Sequence, residues 1–438
     1  MKALRGGLKL EGKKDRTIIP WSVTKTSPPR RVRIPLAQSF ASPASPRVRV
    51  GDRVRVGEKI AEAGSPEGVA LHATVSGQVT EIRPFPHPIF GESEAIEILS
   101  DGKDELAFGM GKERHGFESL SPREVSRILQ ESGVVGLGGE PFPPHRLIQE
   151  TASFPIHTVI LNGCESEPYL TSDHALMMSH PVEILKAGEI LLRSLGAKHL
   201  MIAVEENKEE VGELLKTKAF LHKWSQARVE ILPTRYPQED ETLLIETLLG
   251  EFLPPGKSSR EIGVALFNVA TAFAVYEAVA FGKPLYERVV TIGGECVAQP
   301  HNYWMRLGTL AEEGVKYARG FLREPEKVLF GGPMRGVAQE GLDFPLLPDT
   351  RAILGLPHEV VKPESVEPCI RCGWCVDSCP VSISPVMITL AAEKNLFEVA
   401  QEYGASFCIA CGNCSYVCPS KRPMVELIQY ANQSANAR

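Results

Sequence analysis

The chain has 438 residues, 43% hydrophobic and 23% charged, with a formal net charge of −6. Single cores stop growing beyond about 250–300 residues, so roughly two to four domains are expected. The mild acidity argues against nucleic acid as a general partner, because tracking phosphates requires a basic surface.

In chain order, residues 1–60 come first and are rich in arginine: Arg30, Arg31, Arg33, Arg47, Arg49, Arg53 and Arg55. This reads as a solvated basic face, with docking to an acidic partner as the second reading. The opening MKALRGGLKLEGKK has no apolar stretch of the kind a secretory signal carries.

Residues 30–100 read as β. Short apolar alternations at Val32–Leu36, Val48–Val50, Val79–Ile82 and Ala95–Leu99 are punctuated by glycine and proline. Residues 50–61 (VGDRVRVGEKIA) and 72–77 (HATVSG) look like the two halves of a lipoyl/biotinyl-type barrel-sandwich. No lysine stands at the Val75–Gly77 turn to carry a prosthetic group, which favours a scaffold over a swinging arm.

From Pro122 onward strand and helix patterns alternate, predicting an α/β domain. A helix closes over Ile128–Gly133, and Gly136–Gly139 forms a glycine-rich loop. The strand Thr158–Asn162 delivers Gly163–Pro168 to a loop, followed by a helix over Pro181–Leu195 and a strand over His199–Val204. A helix near Lys208–Leu221, a strand at Arg228–Leu232 and a helix ending near Gly250 complete the pattern. Such a glycine loop presents backbone N–H groups to an anion, although a tight structural turn is its default reading. Residues 263–282 (GVALFNVATAFAVYEAVAFG) come nearest to a membrane span. Asn268, Thr271 and Glu277 interrupt the run, and a span needs about 20 predominantly apolar residues, so a buried helix is expected. Any membrane association would then come through another subunit.

Eight of the ten cysteines lie between Cys369 and Cys418. Cys369, Cys372, Cys375 and Cys379 are followed by Pro380, and Cys408, Cys411, Cys414 and Cys418 by Pro419. Both runs are C-x2-C-x2-C-x3-C-P, the spacing at which three thiolates wrap one iron–sulfur cubane and the fourth reaches the other. One [4Fe–4S] cluster is therefore assigned to Cys369, Cys372, Cys375 and Cys418, and the second to Cys408, Cys411, Cys414 and Cys379. Structural zinc is the competing reading, but its cysteine pairs are usually separated by a dozen or more residues. Ligand-type spacing rather than a disulfide framework suits a reducing cytoplasm. Between the motifs, residues 382–406 carry apolar positions at helical spacing, giving a helical ferredoxin module. Cys164 and Cys296 read as small buried hydrophobes, and His72, His145, His174 and His301 form no ligand cluster.

The order of these parts resembles the RnfC family of the Rnf electron-transport complex and, more distantly, the flavin-carrying NADH-oxidising subunit of respiratory complex I. The resemblance rests on RGG at 5–7, VGD at 50–52, GVVGLGG at 133–139, NGCESEPYLT at 162–171 and RYPQ at 235–238. It continues through NVATAFA at 268–274, ERVVTIGG at 287–294, GGPM at 331–334 and the paired cysteine motifs. It implies a multidomain α/β and β protein. The parts would be a barrel-sandwich domain (1–110), a Rossmann-like α/β flavin-type domain (115–285), an SLBB-like β-grasp domain (286–345), a linker (346–364) and a helical 2[4Fe–4S] ferredoxin domain (365–438).

The resemblance further implies FMN as a cofactor beside the two clusters, with NADH as substrate. Gly136, Gly138 and Gly139 would face the flavin phosphate, and Asn162 and Asn268 would hydrogen-bond the flavin. Glu165, Ser166 and Glu167 would line the dinucleotide site, with Tyr236 and Glu241 nearby. Hydride would enter the flavin and leave as single electrons through the clusters. The implied partners are membrane-embedded electron-transfer subunits, NAD(H) and a ferredoxin-type or flavin acceptor. The implied location is the cytoplasmic face of the inner membrane.

This sequence departs from the family pattern at two places. Glu140 and Pro141 stand where the glycine loop usually continues Ala-Gly, and Glu239-Asp240 stands where a Gly-Gly pair is usual. The expected effect is added negative charge beside a phosphate, at a cost on the order of 4 kcal/mol per close pair. A flavin-free iron–sulfur adaptor and a cobalamin-reductase-like protein are the alternative functions.

Overall fold

The computed structural model describes residues 6–18, 22–38, 42–139, 142–224, 226–254, 256–361 and 365–436. Near the N-terminus, Arg31–Pro35, Gly91–Ser100, Gly77–His87 and Arg53–Val54 pair in that order as an antiparallel sheet. A smaller sheet of Ser45–Pro46, Lys59–Glu62 and Leu71–His72 closes over it. Alternate residues point inward, so Val32, Ile34, Ile60, Val75, Ile96 and Ile98 form one buried cluster between the sheets. The strand expected at Val48–Val50 is not formed. Asp52 accepts the Arg49 N–H at 2.8 Å and Gly51 adopts φ 99°, so this segment turns instead.

The α/β domain is built on four parallel strands, ordered Ala227–Leu232, His199–Glu205, Thr158–Asn162 and Val264–Asn268. Helices Pro122–Glu131, Pro181–Leu195 and Val269–Phe281 contribute Leu129, Leu191 and Val275 to its main core. The 263–282 run is a correction to the expected single helix: it is a strand followed by a helix. Both halves are buried and apolar throughout, so hydrophobic periodicity could not divide them. The division falls at Asn268, whose Oδ1 accepts the Ala270 N–H at 2.8 Å and starts the helix.

A mixed six-stranded sheet follows, ordered Val23–Lys25, His301–Arg306, Glu287–Gly293, Ala352–Leu356, Lys327–Phe330 and Val337–Gln339. It corrects the expected 346–364 linker. Ala352–Leu356 is buried along its length and pairs with strands on both sides. An apolar run of five residues beside a proline-rich stretch carries little signal of its own, and only its partners make it a strand. Val23–Lys25 also joins this sheet from the N-terminal region, pairing parallel with Asn302–Trp304.

At the C-terminal end, helices Pro385–Ala392 and Phe397–Glu402 pack against Met424–Asn436 around Ile388, Ala400, Ile428 and Ala431. No helix among the described residues is long and apolar enough to cross a membrane.

Candidate functional site

The strands Thr158–Asn162 and Val264–Asn268 run side by side in register, so Asn162 and Asn268 finish level with one another. In open α/β sheets, the crevice beyond the carboxyl ends of the strands is where ligands bind. A cavity of about 570 Å³ lies there, within the 300–1,000 Å³ range of small-molecule sites. Its wall includes Gly136, Gly138, Asn162, Glu241, Asn268 and Thr271.

Each wall residue has a structural reason to be where it is. Asn162 donates to the Glu239 carbonyl (2.8 Å) and accepts from the Cys164 N–H (3.0 Å). Asn268 donates to Asp173 (2.7 Å) while it caps its own helix. Each carboxamide carries two N–H donors and uses one in these bonds. Thr271 accepts the Leu137 N–H at 2.8 Å and thereby fixes the glycine loop. Gly138 cannot carry a side chain, because a Cβ there would stand 2.8 Å from the Asn268 Cβ.

A second cavity, of about 510 Å³, adjoins the first. Gly139, Glu167, Phe330, Gly332, Met334 and Thr350 help line it. Gly138, Glu239, Arg335, Arg351 and Ile409 line both cavities and form the partition between them. Glu239 pairs with Arg351 at 3.3 Å, and Asp240 with Arg335 at 3.0 Å. The negative charge expected to be uncompensated here is thus matched by two guanidinium groups. Burial disfavours the charge on Glu239, yet Arg351 and Arg335 hold its carboxyl below the usual carboxylate range. Glu140 and Pro141, the other departures from the family pattern, lie outside the described residues.

Three residues expected at the dinucleotide site are placed elsewhere. Glu165 is fully buried away from both cavities. Its carboxylate accepts from Ser172 Oγ (3.2 Å) and the Asp173 N–H (3.1 Å), capping the helix Ser172–Ser179. The carbonyl of Glu165 takes a bond from Lys14, whose burial pushes its pKa down to about 8. Ser166 lines neither cavity; its N–H bonds Glu239 at 2.8 Å. Tyr236 is buried, and its hydroxyl donates to the Cys411 carbonyl at 2.7 Å. Glu167 does line the second cavity. Burial and the neighbouring Glu239 push its pKa up to about 7, although the Met334 N–H donates to it at 3.0 Å.

The cysteine motifs stand next to this partition. Cys379, Cys408, Cys411 and Cys414 line one small cavity together with Ile383 and Ile428. Cys375 and Cys418 pack in one cluster with Met424, while Cys369 is half-buried and Cys372 exposed. No three His, Cys, Asp or Glu side chains among the described residues meet as tightly as a single metal ion would require. Burial pushes the Cys411 thiol up to about 11 and Cys414 up to about 12. Buried thiols around a shared space suit iron–sulfur cubanes, because bound metal deprotonates a coordinating thiol and supplies the missing positive charge. Cys164 borders the flavin-side cavity but is buried, and burial raises its pKa well above the ordinary thiol value. Cys296 is buried behind Gly355.

The first cavity suits a phosphate-bearing flavin on two observations. Gly138 leaves room where any Cβ would close the cradle. Arg260 and Arg351, both on its wall, each keep a buried Nε with no partner, and a buried donor without an acceptor is costly unless a ligand satisfies it. The sequence alone did not single out Arg260, Arg335 or Arg351. No local motif marks them, and they reach the site from other loops.

An α/β crevice beside paired four-cysteine loops, with a barrel-sandwich and a β-grasp unit on the same chain, defines a modular iron–sulfur electron-transfer protein of flavoprotein type. Its segments match known domains in turn: the RnfC barrel sandwich hybrid domain (residues 2–103), the Nuo51 FMN-binding domain (129–277), the SLBB domain (289–338) and the 4Fe-4S dicluster domain (363–419). The RnfC-type component of the proton-translocating ferredoxin:NAD(+) oxidoreductase complex of Clostridium ljungdahlii is 36% identical across 100% of this chain and 95% of its own length. The corresponding component of the Na(+)-translocating complex of Acetobacterium woodii is 34% identical across 94% and 92%. That of the ion-translocating oxidoreductase complex of Rhodobacter capsulatus is 34% identical across 100% and 84%. The chain belongs to this family, the RnfC family. An NAD+-reducing [NiFe]-hydrogenase crystal structure shares the fold over 72% of this chain and 63% of that one, with TM-score 0.52 and 18% identity.

Proposed function

We propose that the chain is the electron-transfer subunit of an ion-translocating ferredoxin:NAD(+) oxidoreductase complex. In this reading it is held peripherally at the cytoplasmic face of the inner membrane by embedded partner subunits. The observation that carries the proposal is the position of Ile409, which lies between Cys408 and Cys411 and lines both cavities. A ligand in either space would then lie against the loop that holds a cluster.

Gly136, Gly138, Asn162, Asn268 and Arg260 would hold FMN in the first cavity, and the second would admit the nicotinamide dinucleotide past Glu167 and Phe330. When bound, FMN exchanges a hydride with nicotinamide and single electrons with the clusters. The chain's own residues position and insulate. The Glu239–Arg351 and Asp240–Arg335 pairs keep the partition electrically balanced. Tyr236 ties the α/β domain to the Cys411 loop.

The test is an anaerobic preparation in which FMN and iron are quantified together and NADH is then added. Bound FMN with NADH-driven bleaching of the iron–sulfur absorption is expected. Absence of both would remove the proposal, whereas full iron without flavin would favour the flavin-free adaptor. The ligand sets have a separate test. Cys379 shares its cavity with the second motif, so Cys379→Ser should abolish the electron paramagnetic resonance signal lost in Cys411→Ser, not the one lost in Cys372→Ser.

A further inference from the structure

We propose that Arg335 is a positioning residue of the inner iron–sulfur site, fixing one positive charge against the Cys408–Cys411 loop so that the cluster there is easier to reduce. The inference rests on the cluster assignment above and goes beyond it, to how this chain sets the potential of one of its two centres.

The guanidinium is held from two sides by one nitrogen: Nη2 donates to Asp240 Oδ2 at 3.0 Å and to the Ile409 carbonyl at 3.3 Å. Asp240 is itself fixed, because its other oxygen accepts the Thr242 N–H at 3.2 Å and starts the helix Glu241–Leu249. The cysteines that face this charge are also the enclosed ones. Cys411 and Cys414 are buried and Cys408 half-buried, whereas in the other motif Cys372 is exposed and the loop's own arginine, Arg371, is exposed with it.

The physical consequence follows from charge. Reduction adds one electron to the cluster, and a nearby cation stabilises the more negative state, raising the potential. Net charge, hydrogen bonding and exposure are the levers that set such potentials. A charge acts more strongly across a partly desolvated wall than through water, and the Arg335 side chain is only 32% exposed. Arg371 lies in solvent, where its effect is screened. Arg335 also borders both cavities, so it stands between the donor space and the first centre an electron would reach.

The experiment is a redox titration of the complete protein, both clusters loaded, followed by electron paramagnetic resonance. Arg335→Gln is expected to move the midpoint of one cluster to a more negative potential and leave the other in place. Arg335→Lys should restore most of the shift, because the charge returns. If the clusters are present and neither midpoint moves in Arg335→Gln, or both move equally, the proposal is overturned. Should Arg335→Gln fail to hold the inner cluster, Asp240→Asn decides. It keeps the cation and removes its counter-charge, so the same midpoint should move to a more positive potential, and no movement overturns the proposal. A wild-type protein without two four-iron centres would instead overturn the cluster assignment itself, so the two failures are distinguishable.

Discussion

Glu167 sits beside Glu239 on the wall of the second cavity, and His72 is buried in the barrel-sandwich with its Nδ1 unpartnered. Burial pushes Glu167 up to about 7 and His72 down to about 3, with opposite consequences for stability. A carboxyl whose folded pKa is raised stabilises at low pH, and that contribution is lost as pH rises from about 4.5 through 7. A histidine whose folded pKa is depressed stabilises above about 6.5, and that contribution is lost as pH falls toward 3. At about pH 5 the His72 cost relative to neutral pH is about 2 kcal/mol. Urea midpoints measured at pH 5 and 7 should therefore differ less in His72→Gln than in the parent, and more in Glu167→Gln. Glu167 also gives ligand binding a pH dependence. Affinity for a phosphate-bearing dinucleotide should weaken as pH rises through 7, and Glu167→Gln should flatten that titration in calorimetry.

At the scale of elements, the glycine loop and the two asparagine-terminated strands act as one unit. Adding a methyl group at Gly138 would press on Asn268, which caps the helix Val269–Phe281 and bonds Asp173. Gly138→Ala is expected to lower flavin content at least tenfold while leaving the iron content unchanged, measured on the same preparation. The partition is more sensitive. Arg351 bonds Glu239 and Asp173, both nine-tenths or more buried, so Arg351→Leu leaves two buried carboxylates without their cation. A loss of about 3–5 kcal/mol is expected from removing one partner of a buried pair, read as a lowered urea midpoint. The helical insertion between the cysteine motifs was legible from its apolar spacing, and so were the strands of the parallel sheet. The strand at Val264–Asn268 was not, because an evenly apolar run carries no period to read.

Over the whole molecule, the N-terminal segment is the strap between domains. Leu8 exchanges backbone hydrogen bonds with Tyr236, and the Gly7 N–H bonds the Ser378 carbonyl at 3.2 Å. A Cβ at Gly6 would lie 2.6 Å from the Cys379 carbonyl oxygen, so the chain passes close beneath that cysteine. Tyr236 completes the link through its bond to Cys411. Tyr236→Phe leaves that carbonyl unpaired at a cost of about 1–3 kcal/mol. Hydrogen exchange of the 408–414 loop should quicken in this variant while the barrel-sandwich is unaffected.

The sequence by itself determined the chemistry that depends on spacing along the chain: eight cysteines in two repeated runs, alternating strands, and a glycine loop after a helix. Those features are local, and their geometry follows from the backbone. Whether the carboxylates of Glu239 and Asp240 repel or pair was decided only by the tertiary structure, since Arg351 and Arg335 lie 112 and 95 residues further along the chain. The same holds for Ala352–Leu356, which is a strand because of the neighbours it meets. Charge compensation and strand pairing depend on distance in space, and a sequence lists only distance along the chain.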